Sequence, residues 1–207
     1  MTLHTNDTTT EQVILDTATA LFLEKGYALT STTEIARIVG CNQALVHYYF
    51  RTKDRLFDAV FSKAAGIFTD ALLLPMDENL SFEENVRRKV ETHYDVMKSN
   101  PRLPFLFFNE LNTNPERLSL LRTKIGEAPR SLMLQTERAL NVEIEKGTVR
   151  PMTASNLLLT IFSLNLVIFL SAPVLQVLGG MTETEYEALV ENRKRENVTV
   201  VLKSLRA

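Results

Sequence analysis

Apolar side chains recur along this chain at the spacing of a helix and not of a strand. Ile14, Ala18, Leu21 and Phe22 fall at i, i+4, i+7 and i+8, and Tyr186, Leu189, Val190, Arg193, Asn197, Val198, Val201, Leu202 and Leu205 continue that period near the other end. No run pairs strict apolar–polar alternation with a hairpin turn. The seven glycines and seven prolines fall mostly between the periodic stretches, as expected of helices joined by short connections. The pattern predicts an all-α protein of about nine helices, at 10–25, 32–39, 43–50, 53–74, 82–98, 102–112, 115–147, 153–178 and 183–205. Gly126 and Pro129 lie inside the seventh, which is expected to kink or split because proline removes a backbone donor and crowds the preceding turn. Short, tightly connected helices come first and longer ones follow. We therefore expect a flexible tail over 1–9, a compact three-helix unit over 10–57 and a larger helical body over 58–207.

Composition narrows the class. The 207 residues are 45% hydrophobic and 23% charged with a net charge of −2, enough apolar material for a sizeable core. The single cysteine, Cys41, excludes an intramolecular disulfide and a multi-cysteine zinc site, so a reducing, cytoplasmic setting is expected. Residues 1–10 do not read as a signal peptide. Residues 157–178 are apolar enough to suggest a membrane span, but Thr160, Ser163, Asn165, Ser171, Pro173 and Gln176 interrupt them. A buried or interface helix is the better expectation. With no phosphate-binding glycine loop, no HExxH pair, no nucleophile elbow and only His4, His47 and His93, neither an enzyme nor a metal or cofactor site is expected.

Residues 31–53, STTEIARIVGCNQALVHYYFRTK, carry the functional signal. Ser31 followed three residues later by Glu34 predicts a capping box, in which hydroxyl and carboxylate each satisfy a backbone donor. Ile35, Ala36 and Val39 give the first short helix an inner face. Gly40 supplies a left-handed backbone to end it, and Asn42 caps the next helix. That is helix-turn-helix spacing, which also occurs in proteins that never meet nucleic acid. On the second helix Val46, Tyr49 and Phe50 sit at i, i+3 and i+4 and are expected to pack inward. Ala44 and Tyr48 then face outward, flanked by Leu45 and His47. An apolar tip can touch a thymine methyl, while Tyr or His can hydrogen-bond a base edge or phosphate. Thr52 caps a fourth helix with Lys53 in its first turn, where an ammonium and free backbone donors can meet one phosphate. Cys41, in the turn, reads as a small buried hydrophobe more than a redox thiol.

At these residues the chain resembles the amino-terminal domain of the TetR/AcrR family of bacterial transcriptional regulators. The resemblance rests on Ala18, Leu21, Phe22, Gly26-Tyr27, Thr30-Ser31, Ile35-Ala36, Gly40 and the run His47-Tyr48-Tyr49-Phe50 ending at Lys53. It covers about the first quarter of the chain closely. Weaker likeness continues through Asn100-Pro101, Phe107 to Leu111, Asn114-Pro115, Gly147 and the final amphipathic helix. It implies a homodimer that binds an operator and releases it when a small molecule occupies the second domain. It further implies that Gln43, Ala44, Leu45, His47 and Tyr48 face DNA, with Thr33 and Lys53 on phosphates. Asn42 stands where the family usually has a serine cap, and Gln43 where it commonly has a basic residue. Charge accords with modest phosphate binding: residues 1–63 hold six basic and seven acidic side chains, yet from Arg37 onward five are basic and two acidic.

In the body, His93, Tyr94 and Met97, then Phe105, Phe108, Asn109 and Asn112, form an apolar group with a few polar members. Core packing suits each of them singly, and a small-ligand pocket suits them together. Asn165, mid-way along the most apolar helix, must find a partner in a side chain, a dimer mate, a water or a ligand. The wide apolar faces of the last two helices predict a homodimer through a four-helix interface. Two-fold symmetry would present two recognition helices to a palindromic site on double-stranded DNA. The expectation is a repressor released by a small-molecule effector. The alternative is a dimeric helical ligand-binding or scaffold protein that has lost operator binding, favoured by Gln43 and by the near-neutral amino-terminal charge.

Overall fold

Most helices begin where a short polar side chain accepts a hydrogen bond from a backbone N–H of the first turn. Thr9, Ser31, Asn42, Thr52, Ser81, Asn114, Thr153 and Thr182 each do so. The computed structural model describes residues 9–206, and among these every regular element is an α-helix. They are α1 (Thr10–Leu29), α2 (Thr32–Val39), α3 (Gln43–Phe50), α4 (Lys53–Leu72), α5 (Phe82–Ser99), α6 (Leu103–Thr113), α7 (Pro115–Ile125), α8 (Ala128–Glu145), α9 (Ala154–Leu170), α10 (Ala172–Val177) and α11 (Glu183–Leu205). The tail expected over 1–9 lies outside the described residues apart from Thr9, the cap of α1.

Eleven helices replace the expected nine, and proline explains both divisions. The stretch 115–147 splits into α7 and α8 at Gly126, and Pro129 has no N–H to carry the ladder back across the break. The stretch 153–178 splits into α9 and α10 at Ser171, where Pro173 acts in the same way. Regular geometry in α1 is interrupted at Gly26 (φ 78°, ψ 172°), so its continuous part ends where the periodicity predicts. No helix among the described residues is long and apolar enough to cross a membrane.

Helix α4 organises the interior. Leu56, Phe57, Val60 and Phe61 along it are buried against Ile14, Ala18 and Phe22 of α1, and the same cluster extends to Tyr94 and Met97 of α5, Phe107 of α6, Phe169 of α9 and Tyr186 of α11. Phe57 meets Phe22 edge-on at 4.8 Å and Tyr27 at 5.1 Å between ring centroids. The Arg117 guanidinium of α7 lies 4.4 Å over the Phe57 ring. It also bonds Glu110 of α6 at 2.6 Å and lies 3.4 Å from Asp58. A second cluster, built from Val86, Val90, Leu140, Leu157, Ile161 and Val201, joins α5, α8, α9 and α11.

A polar network crosses the body. Asn165 donates to the Val90 carbonyl at 2.9 Å and lies 3.2 Å from His93 Nδ1, while Asn197 donates to Asn165 Oδ1 and to the Leu164 carbonyl, each at 2.9 Å. Partners within the same chain thus satisfy the carboxamide. Because Asn165 Nδ2 can only donate, His93 Nδ1 is the acceptor of that contact and the ring is neutral. Burial, with the nearby Lys89 ammonium second, holds the His93 imidazole down at about 4. Burial likewise lowers Lys89 to about 8, and its Nζ donates to the Leu74 carbonyl at 2.5 Å.

The sign of the His93 effect follows from linkage. Between its folded value and the ordinary value near 6.5, the unfolded chain binds the extra proton, so stability falls as pH drops through that window. The loss should approach about 3 kcal/mol near pH 4. Urea unfolding of the protein and of His93→Gln from pH 7 to pH 4 should show the steeper decline in the parent; parallel curves would refute the assignment.

Candidate nucleic-acid interface

Helices α2 and α3 are set by their ends. Ser31 Oγ accepts the Glu34 N–H at 3.1 Å, but the reciprocal half of the expected capping box is absent because the Glu34 carboxylate pairs with Lys25 of α1. Complete boxes occur elsewhere, at Ser81/Glu84 and Thr182/Glu185. Gly40 takes the left-handed conformation (φ 77°, ψ 26°), with Cys41 N–H on the Ala36 carbonyl at 3.0 Å and its own N–H on Arg37 at 3.3 Å. Asn42 Oδ1 accepts the Leu45 N–H at 2.8 Å and starts α3. Cys41 is half-buried against the core cluster.

The face of α3 largely matches the expected one. Val46 is 1% exposed and Phe50 lies inward with it, but Tyr49 is 36% exposed, its ring edge-on to Tyr48 at 5.3 Å. The expectation that Tyr49 packs inward is corrected: its position falls at the margin of a helix only eight residues long, and α4 covers the neighbouring Phe50 instead. Gln43, Ala44, His47 and Tyr48 are exposed, Leu45 is half-buried, and Thr33 is exposed in the first turn of α2. These side chains lie on one side of the α2–α3 pair.

The passage from α3 to α4 is backbone-strained. Arg51 has φ 62° and ψ −56°, the one positive φ among the described non-glycine residues, and Thr52 N–H reaches the Phe50 carbonyl at 2.6 Å. This is a γ-turn of the rare positive-φ kind, costing about 1–3 kcal/mol for a residue with a β-carbon. Three features follow from it. Thr52 Oγ1 accepts the Arg55 N–H at 3.2 Å and caps α4. His47 Nδ1 lies 2.9 Å from the Arg51 carbonyl, and Gln43 Nε2 lies 3.4 Å from His47 Nε2 and 3.1 Å from Thr32 Oγ1. Lys53 Nζ stands 4.2 Å over the Tyr27 ring, whose hydroxyl donates to Asp54 at 2.6 Å and is pushed up to about 12, first by that bond and then by burial. A cation is thereby fixed at the amino-terminal, positive end of α4, a place that favours an external anion. Neither the γ-turn nor the Tyr27 support was expected from sequence; the Gly26-Tyr27 pair is the signal that could have found the latter.

The eight pocket candidates separate into two groups. His93, Tyr94, Met97 and Asn165 are fully buried between α5 and α9, with Tyr94 donating to the Val190 carbonyl at 2.6 Å. Phe105 (69% exposed), Phe108, Asn109 and Asn112 lie on the outer face of α6. One cavity does not gather them, because Leu103, Leu106, Phe107 and Glu110 form the inward face of α6. A cleft of about 570 Å³ that sequence reasoning missed opens between α5, α9 and α11, bordered by Lys98, Phe169, Tyr186, Glu187, Val190 and Glu191.

Comparison with known proteins agrees with this geometry. Residues 14–60 match the family model described as bacterial regulatory proteins, tetR family. The chain is 24% identical over 142 residues to the HTH-type transcriptional regulator YhgD of Bacillus subtilis, covering 68% of this chain and 72% of that one. It is 27% identical over 106 residues to IcaR of Staphylococcus epidermidis, a negative transcriptional regulator of the biofilm operon icaADBC, covering 51% and 55%. A crystal structure of a tetR-family regulatory protein from Rhodococcus RHA1 superposes with a TM-score of 0.70 at 17% identity, covering 96% and 97% of the two chains.

Loss of the Asn42 cap should cost about 1 kcal/mol, since Ala leaves the Leu45 N–H to water. Thermal unfolding of Asn42→Ala tests this, and an unchanged midpoint would show that the cap does not stabilise α3. With its helix-turn-helix and its capped α4, the amino-terminal unit matches the tetR-family model of bacterial regulatory proteins over residues 14–60, and the whole chain is similar in fold to a tetR-family structure.

Proposed function

We propose that the protein is a homodimeric transcriptional repressor that reads a palindromic operator through α3 and is released by a small apolar or amphipathic effector. The observation that carries this reading is the α2–α3 face: exposed Gln43, Ala44, His47 and Tyr48, with Thr33 beside them and Lys53 fixed at the start of α4. Tyr48, 66% exposed on a helix otherwise anchored by Val46 and Phe50, is an amphipathic tip with no role in the core. The likeness to the negative regulator IcaR supports repression.

Residues 10–57 form the recognition unit in this reading and 58–207 the ligand-binding and dimerisation body. Dimerisation is supported by apolar side chains left uncovered on the last helices: Leu159 and Val167 of α9, Val174 of α10 and Val200 of α11 are 66%, 58%, 54% and 42% exposed. A groove of about 450 Å³ bordered by Val167, Leu175, Leu189 and Arg193 continues that surface. For the effector, the buried group His93, Tyr94, Met97 and Asn165 is the lining in this reading, and Thr136 of α8 buries a hydroxyl without a hydrogen-bond partner. Effector binding acts on DNA only by favouring one separation of the recognition helices over another. Helix α4, shared by both parts, is the physical link.

Selection from a random duplex pool should enrich a palindrome for the parent protein, and a Tyr48→Ala, Lys53→Ala variant should fail to recover it. No enrichment even at low salt would leave a helical ligand-binding or scaffold protein instead. Light scattering at micromolar concentration should give a dimer, and Leu159→Asp with Val167→Asp should shift it to a monomer. A monomeric parent would overturn the proposed interface.

A further inference from the structure

Both ring nitrogens of His47 are engaged within the protein. The Arg51 carbonyl can only accept, so Nδ1, 2.9 Å away, carries the proton. Nε2 is then a lone-pair acceptor, approached by Gln43 Nε2 at 3.4 Å, while the same amide group reaches Thr32 Oγ1 at 3.1 Å. A polar strap therefore runs from the first turn of α2, across the exposed side of α3, to the turn that starts α4. It ends on the strained residue. Three hydrogen bonds surround the Arg51 γ-turn: Arg51 N–H to the His47 carbonyl at 2.9 Å, Thr52 N–H to the Phe50 carbonyl at 2.6 Å, and the imidazole to the Arg51 carbonyl. The imidazole supplies the one bond of the three that comes from a side chain.

We propose that His47 is a positioning residue and not a base-reading one: its Nδ1–H tautomer, selected by Gln43, clamps the Arg51 γ-turn and so fixes α3 relative to Thr52 and Lys53. A base contact from α3 and a phosphate contact from Lys53 can form together only at a set separation. A residue with a β-carbon leaves the positive-φ region unless its surroundings hold it there. Base reading then falls to Ala44, Leu45 and Tyr48, and Gln43 serves the strap in place of the phosphate contact that a basic residue would make. The inference rests on the DNA-binding reading for its functional consequence but not for the clamp itself.

The clamp is tested first on the free protein. Nitrogen-15 NMR of the neutral His47 ring should show a protonated Nδ1 and an unprotonated Nε2, the reverse of the tautomer that free histidine prefers; a protonated Nε2 would overturn the proposal. Thermal unfolding should show that His47→Phe lowers the midpoint in the parent but much less in an Arg51→Gly background, because glycine adopts positive φ without strain. Equal losses in both would overturn it. On the duplex selected by the parent, His47→Asn, which keeps a donor near the Nδ1 position, should bind within about two-fold, and His47→Phe roughly ten-fold more weakly. Both variants should select the parental base sequence. A changed preference at one base pair would make His47 a base-reading residue and refute the proposal. If the parent selects no sequence at all, the DNA-binding reading fails while the tautomer and the unfolding cycle still decide the clamp.

Discussion

Phe57 sits between two parts of the molecule that sequence alone treats as separate. Phe22 and Tyr27 meet its ring edge-on, the Arg117 guanidinium lies over it, and Phe57 is itself completely buried. Helix α4 therefore packs on the amino-terminal helices through α1 and on the later ones through α5, α6 and α7. Arg117 is held in place because its pairing with Glu110 is largely withdrawn from water, so parting the two would leave a buried charge uncompensated. Movement of α6 or α7 must be transmitted to α4 or break these contacts. In the proposed reading, this is the route by which an effector in the body would act on α2 and α3.

The recognition end is built by a different kind of interaction. Caps at Ser31, Asn42 and Thr52 define three helix starts within 22 residues, and the strained turn at Arg51 joins the last two helices more tightly than an ordinary loop would. Strain of this kind persists only where the surroundings over-determine it. Val46 and Phe50 hold α3 from inside, and the His47–Gln43–Thr32 strap holds it from outside. The exposed side of α3 is thus braced from both directions, with Tyr48 projecting from it and Lys53 placed over Tyr27 at the start of α4.

What the sequence reveals depends on how local the cause is. Caps, the left-handed Gly40 and the helical period are local, and they placed α2, α3, α4 and α11 within a few residues. The breaks at Gly126 and Ser171 also have a local cause in Pro129 and Pro173, although only the first was anticipated. Facing was legible for Val46, Phe50, Ala44 and Tyr48 but not for Tyr49, because an eight-residue helix has a broad margin between its inner and outer sides. The pocket candidates show where sequence reasoning stops. Buried His93 and exposed Phe105 belong to equally apolar segments, and only the packing of α6 on α4 separates them. The partner of Asn165 comes from residues up to 75 positions away, a tertiary fact that no spacing rule contains.

In the proposed function the α3 face and the Arg51–Lys53 turn together form one nucleic-acid interface, coupled to the body through α4. Amide hydrogen exchange with and without a duplex carrying the selected sequence tests it most directly. Added protection is expected at Thr32 and Thr33, along α3 and over residues 51–55, extending into α4. Protection confined to the body, or none at low salt, would contradict it.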